Sequence, residues 1–134
     1  MSLYDWLLFG HVLSAFALVA ATVCLGAVIL GGAGEAGRQV LATPAVALWN
    51  AGGAGVLVLG IWLAIEVDAY HVWDGWIVAA ILLWLVGSAA GGPLTRGARD
   101  ATAALAPERA RLLLGVMSAS TVLLLLDMIF KPGA

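Results

Sequence analysis

The chain has 134 residues, 63% of them hydrophobic and 10% charged, with a formal net charge of −2 and a mean hydropathy of +1.07. A soluble domain carries about 25% charged residues, so this chain has too little polar surface to cover a water-soluble globule. The acidic balance also excludes a basic nucleic-acid surface, and the sparse polar loops leave no room for a soluble domain.

Four stretches are almost free of charge: Trp6 to Gly34, Gln39 to Ile65, Gly75 to Thr95, and Leu112 to Phe130, the last interrupted by Asp127. A helix needs roughly 20 apolar residues to cross a bilayer core. The sequence therefore predicts an all-α, polytopic membrane protein: a single four-helix transmembrane domain over 1–134, with helices at about 3–30, 45–68, 74–92 and 108–130. The first stretch does not read as a cleaved signal. No Lys or Arg precedes it, and it far exceeds the ~7–15 residues of a signal core.

The first helix is expected to end in GGAGEAG, whose glycines make a turn. Pro44 suits the first turn of the second helix, where its missing N–H costs nothing. The short AYHVWDG link makes helices two and three antiparallel neighbours. Helix three is expected to stop at GGP, and TRGARDATAALAPERAR then forms the long polar loop, of which ARDATAALA could make an interfacial turn. Pro107 opens helix four, and Pro132 and Gly133 terminate it.

Arg38, Arg96, Arg99, Arg109 and Arg111 fall on one side of these spans, against Lys131 alone on the other. In short loops this bias marks the cytoplasmic side, so both termini are expected to face out of the cytoplasm, in a bacterial plasma membrane. Asp5, Glu66, Asp68, Asp74, Asp127 and both histidines lie toward the outer side. Trp6, Trp62, Trp73 and Trp76 are placed for an outer aromatic belt and Trp49 for an inner one. Gly87 with Gly91, Gly115 with Ala119, and Ala51 with Gly55 form small-xxx-small steps that let helix backbones approach, within the chain or between copies.

Three ionisable groups reach comparable depth at the outer end. His11 lies about two turns into helix one, roughly 10 Å down. Asp127 lies one turn, or about 6 Å, deeper than Lys131. Glu66 sits at a similar level in helix two, one turn above Trp62. Such groups are costly in a membrane and usually face the bundle interior. Ser14, Leu18, Thr22 and Leu25 share the His11 face, while Leu124, Ser120 and Met117 share that of Asp127. His11, Glu66 and Asp127 thus form a candidate polar cluster, with His11 as candidate haem or metal ligand. The bland readings stand beside it: Asp127 surfacing to pair with Lys131 at i, i+4, Glu66 as an interfacial helix-end residue, His71 as a solvated loop residue, and His11 hydrogen-bonded to a neighbouring helix. Cys24 lies on the face opposite His11 and cannot form an internal disulfide.

No Cys-x-x-Cys-His, no His-Glu-x-x-His and no phosphate-binding glycine loop occurs. Met117 and Met128 do not form a Met-rich copper track. Two histidines cannot hold the two haems of a cytochrome b, so the limit is one haem or one metal.

LYDWLLFGHVLSAFALVA at the start and LLLLDMIFKPGA at the end, with its Met-x-x-Lys-Pro-Gly, resemble a family of uncharacterised four-span integral membrane proteins common in actinobacteria. GVLVLGIWLAIE and GWIVAAILLWLVGSAAGGPLTRGAR are similar to that family's second and third helices. A more distant likeness is to the copper-resistance D type and the membrane protoporphyrinogen oxidase of J type. That likeness implies haem binding at an early histidine, here His11, and a lysine in a later helix. This chain's one lysine, Lys131, lies at the tail instead. The expected function is a non-enzymatic membrane subunit or accessory protein, partnered by the lipid bilayer and by another membrane protein or a second copy. The alternatives are a haem- or metal-binding protein using His11, and a proton or cation pathway through Glu66 and Asp127.

Overall fold

A computed structural model describes every residue except Ala69, Ala101, Ala103 and Pro132 to Ala134. Its elements are four helices: α1 (Leu3–Ile29), α2 (Gly34–Glu66), α3 (Gly75–Arg99) and α4 (Pro107–Phe130). All four are long and apolar enough to cross a membrane, as the hydropathy of the sequence predicts.

Each helix end has a local cause. Ser2 caps α1 by accepting from the Asp5 amide, while the Asp5 carboxylate accepts from the Ser2 amide at 2.8 Å. This reciprocal box satisfies two amides that the first turn leaves open. At the other end of α1, Gly31 (φ +76°) and Gly34 (φ +65°) adopt the left-handed backbone that lets the chain reverse at once into α2. Pro107 occupies the start of α4, where it loses no hydrogen bond.

Two boundaries differ from the sequence expectation, both at the end away from the termini. α2 begins at Gly34, so Pro44 is inside the helix rather than in its first turn. α3 runs through Pro93 to Arg99 instead of stopping at GGP. An interior proline costs roughly 3 kcal/mol, and here packing offsets it. Ala42, Ala45 and Val46 around Pro44 are buried, as are Leu94 and Thr95 beyond Pro93. Arg38, on the added turns of α2, also donates to the Gly97 carbonyl on the added turns of α3, at 3.3 Å. Each extension thus finds its partner in the other. Of the expected interfacial turn, Ala98 and Arg99 belong to α3, and Ala101 and Ala103 lie outside the described residues. α4 ends at Phe130 with Lys131 as its cap; the terminating role expected of Pro132 and Gly133 falls outside the described residues.

The helices pack as two hairpins, α1 on α2 and α3 on α4, which meet each other more loosely. Glycine makes the first hairpin tight. A Cβ on Gly52 would fall 2.8 Å from the Leu18 nitrogen and 2.9 Å from the Ser14 carbonyl oxygen, so two backbones touch there. Gly55 receives the Ser14 side chain, and Gly91 of α3 receives the Trp49 ring. Trp49 is therefore core, 9% exposed, and not part of an inner aromatic belt. A bulky ring reaches the core here because the facing helix supplies no side chain. Of the small-residue steps, Gly87 faces Ser120 of α4, whereas Gly115 has nothing within 4 Å and Ala119 is exposed. Leu25 and Met117 are fully enclosed at the centre.

Candidate functional site

Loose contact between two tight hairpins leaves space. At the end carrying both termini, a cleft of about 500 Å³ opens between them, lined by residues of all four helices. Its walls are almost wholly apolar: Leu8, Val12 and Phe16 from α1, Val56 and Ile61 from α2, Ala80 and Ile81 from α3, and Leu125 from α4. Polar groups enter at two levels. Tyr4, Tyr70, Trp76 and Lys131 stand at the mouth, and His11 stands deeper on the wall.

His11 is held from two sides. Its Nε2 lies 3.3 Å from the Met128 sulfur on α4. A thioether can only accept, so a hydrogen bond at this contact requires the tautomer with the proton on Nε2. Its other edge rests on the bare backbone of Gly60, where a Cβ would come 2.9 Å from the imidazole Cε1. Nδ1 is buried with no hydrogen-bond partner among the described residues. The histidine thus ties α1 to both α2 and α4. The rest of its face points inward as expected. Leu18 and Leu25 are buried, and the hydroxyls of Ser14 and Thr22 turn back onto their own helix, to Gly10 and Leu18 at 2.8 Å each.

Asp127 does not surface to meet Lys131. It is 8% exposed, on the buried face shared with Leu124, Ser120 and Met117, and its Oδ2 has no hydrogen-bond partner. Lys131 leaves the helix in a left-handed conformation (φ +43°), which carries its side chain sideways. The ammonium donates to the Tyr70 hydroxyl at 3.0 Å and lies 4.8 Å from the Tyr70 ring centre and 5.4 Å from that of Trp76. Two aromatic faces and a phenol receive the charge that Asp127 was expected to take.

Glu66 is exposed at the end of α2, and Trp62 one turn below is 45% exposed, so their face looks away from the bundle. Of the three candidate cluster residues, His11 lines the cleft beside the neighbour of Asp127 in sequence, Asp127 is buried next to the cleft without lining it, and Glu66 does not join them. His71 is exposed, its amide donating to Asp74 at 2.9 Å. Cys24 is a free thiol packed partly against the core, roughly 20 Å along α1 from His11.

Sequence reasoning missed two participants. Met128 gives no polar signal and is recognisable only through its contact. Trp84 lines both this cleft and a second cavity of about 320 Å³ on its far side, and its Nε1 donates to the Gly53 carbonyl at 2.9 Å. Together with Leu124 it forms the wall between the two spaces. The inner cavity is more polar, with Asn50, Ser88, Ser120 and Thr121 on its walls.

No group of three or more His, Cys, Asp or Glu side chains is arranged to hold a metal among the described residues. A haem held by both His11 and Met128 would need its iron between the two donor atoms, and the 3.3 Å separating them leaves no room for it. The pair does not fit that arrangement. A haem carried by His11 alone requires Met128 to move aside.

The chain matches no known protein family, and no curated protein or solved structure is similar to it.

Proposed function

We propose that this chain is a non-enzymatic accessory protein of a bacterial plasma membrane, with both termini outside the cytoplasm, that holds one elongated apolar molecule between its hairpins. The observation that carries the reading is the cleft. About 500 Å³ of space lined by apolar side chains from all four helices is the size and character of a ligand site. It lies where the chain would otherwise have closed its core. The described residues that carry chemistry suit holding rather than reacting: His11 is committed to Met128, and the other titratable side chains lining the cleft, Tyr4, Tyr70 and Lys131, stand at its mouth.

Native mass spectrometry of the detergent-purified protein tests this. Retention of one lipophilic molecule per chain is expected, and Ala80→Trp, which fills the cleft from α3, should abolish it. An empty wild-type protein, or retention unaffected by Ala80→Trp, would overturn the reading.

A second reading, haem bound through His11, draws support from the position of the imidazole on the cleft wall. It predicts a Soret band that shifts with dithionite and is lost in His11→Ala. A featureless spectrum from folded protein removes it. The relay reading is the weakest of the three, because Glu66 faces outward and leaves Asp127 without its expected continuation.

A further inference from the structure

The mouth of the cleft is more selective than its walls. Among the lining residues are the chain's one lysine, two phenols (Tyr4 and Tyr70) and two indoles (Trp76 and Trp84), and no aspartate or glutamate. Asp5, Glu66, Asp68, Asp74 and Asp127 lie at the same end of the bundle, yet none of them lines the cleft, Asp127 being buried beside it. Lys131 is turned toward the mouth by its left-handed backbone and, among the described residues, meets the Tyr70 hydroxyl and two ring faces. An ammonium has three protons to donate, and this arrangement uses one in a conventional hydrogen bond. The Trp76 ring lies beside it, and the indole N–H, a donor that can do nothing else, is buried with no acceptor among the described residues. A buried donor left unpaired is costly in an apolar setting. A lysine and a phenol at the mouth beside an indole ring, with no acid lining the cleft, call for an acceptor-rich anion.

The space below the mouth has a matching length. On α2 the lining residues run from Val67 inward to Val56, roughly 16 Å at 1.5 Å per residue. One leaflet of a bilayer is about as deep, half of a hydrocarbon core of about 30 Å. The cleft ends where Trp84 and Leu124 close it.

Resting on the reading of the cleft as a ligand site, we infer that its occupant is an anionic phospholipid of the surrounding leaflet, with the head-group phosphate at Lys131, Tyr70 and Trp76 and one acyl chain lying between the hairpins past His11. The phosphate supplies the acceptors the mouth lacks, and charge-assisted bonds are the stronger kind. A zwitterionic lipid carries the same phosphate with its own cation beside it, so Lys131 gains less from it. A free phosphate has nothing to place among the apolar walls.

The test is competition between phosphatidylglycerol and phosphatidylcholine of identical chains, in mixed micelles with the purified protein, read as bound lipid by native mass spectrometry. Wild type should retain phosphatidylglycerol about tenfold better. Lys131→Gln should remove that preference, Lys131→Arg should keep it, and Tyr70→Phe should reduce it in a protein whose lysine is intact. Inorganic phosphate at millimolar concentration should displace nothing. Equal retention of the two lipids, a preference that survives Lys131→Gln, or displacement by phosphate alone would each overturn the inference. Ala80→Trp separates the two claims. If it abolishes binding of both lipids while wild type shows no preference, the cleft is a ligand site and the head-group assignment fails. If it leaves phosphatidylglycerol bound, the cleft itself is not the site.

Discussion

The Nε2 of His11 and the sulfur of Met128 stand 3.3 Å apart, and this contact joins the first helix to the last across the seam between two hairpins. It offers the imidazole a hydrogen-bond acceptor in the tautomer with the proton on Nε2. Met128→Leu keeps the apolar volume and removes the acceptor. With Nδ1 already unpaired, the ring would then have no partner among the described residues. A loss of about 1 kcal/mol in unfolding free energy is expected, measured by denaturant titration in detergent. The His11 ring resonances should shift in Met128→Leu and stay in place in Cys24→Ser, far along α1; a shared shift would show that they do not report on the contact with Met128.

Glycine positions make a second, sharper comparison. Gly52 lets α1 and α2 touch backbone to backbone, whereas a Cβ on Gly115 would meet nothing within 4 Å. Gly52→Ala must push two helices apart and is expected to cost about 1–3 kcal/mol, the usual range for overpacking. Gly115→Ala should be neutral or stabilise by up to about 1 kcal/mol, since alanine is the better helix former. Equal effects of the two substitutions, in the same titration, would mean that α1 and α2 are not in backbone contact.

Asp127 yields a prediction whose sign discriminates. A buried carboxylate oxygen without a partner costs about 1–3 kcal/mol relative to a satisfied one. Asp127→Leu should therefore leave thermal stability unchanged or raise it. Were the carboxylate paired with Lys131, the same substitution would strand an ammonium and lower the melting temperature by several degrees. The melting curve in detergent decides between them.

These particulars show where the sequence was legible and where it was not. Hydropathy alone gives the four helices, because bilayer thickness and backbone satisfaction leave a long apolar run few other structures. The inward face of His11 also follows, from the helical repeat and the cost of polar groups in lipid, whereas Asp127, expected to surface beside Lys131, is buried. Spacing along a helix fixes depth, but it does not fix rotation relative to neighbours. Glu66 therefore shares a level with the other two and still faces outward. Prolines misled in the opposite way. Pro44 and Pro93 are strong local signals for helix ends, and packing on Ala45, Val46 and Leu94 overrides them. The Lys131 geometry depends on a single left-handed residue and on a loop tyrosine sixty-one positions away, which no local pattern encodes.

The wall between the two cavities carries the last prediction. Trp84 fills the seam between the hairpins, with about 500 Å³ of space on one side and about 320 Å³ on the other, and is held by its indole bond to Gly53. Trp84→Phe removes that bond while keeping most of the ring, and should cost about 1 kcal/mol. Trp84→Ala removes the wall as well. Trp84 is partly buried, so the expected cost lies below the ~3–5 kcal/mol of deleting a fully buried aromatic side chain and above that of Trp84→Phe. If the cleft holds an acyl chain, the enlarged space should also change which chain is preferred. Wild type should favour chains that stop at the wall, and Trp84→Ala should shift retention toward longer ones, read from the masses of bound lipid. An unchanged chain-length profile in a folded Trp84→Ala protein would mean that Trp84 does not limit the cleft, and that the chain takes another route through the bundle.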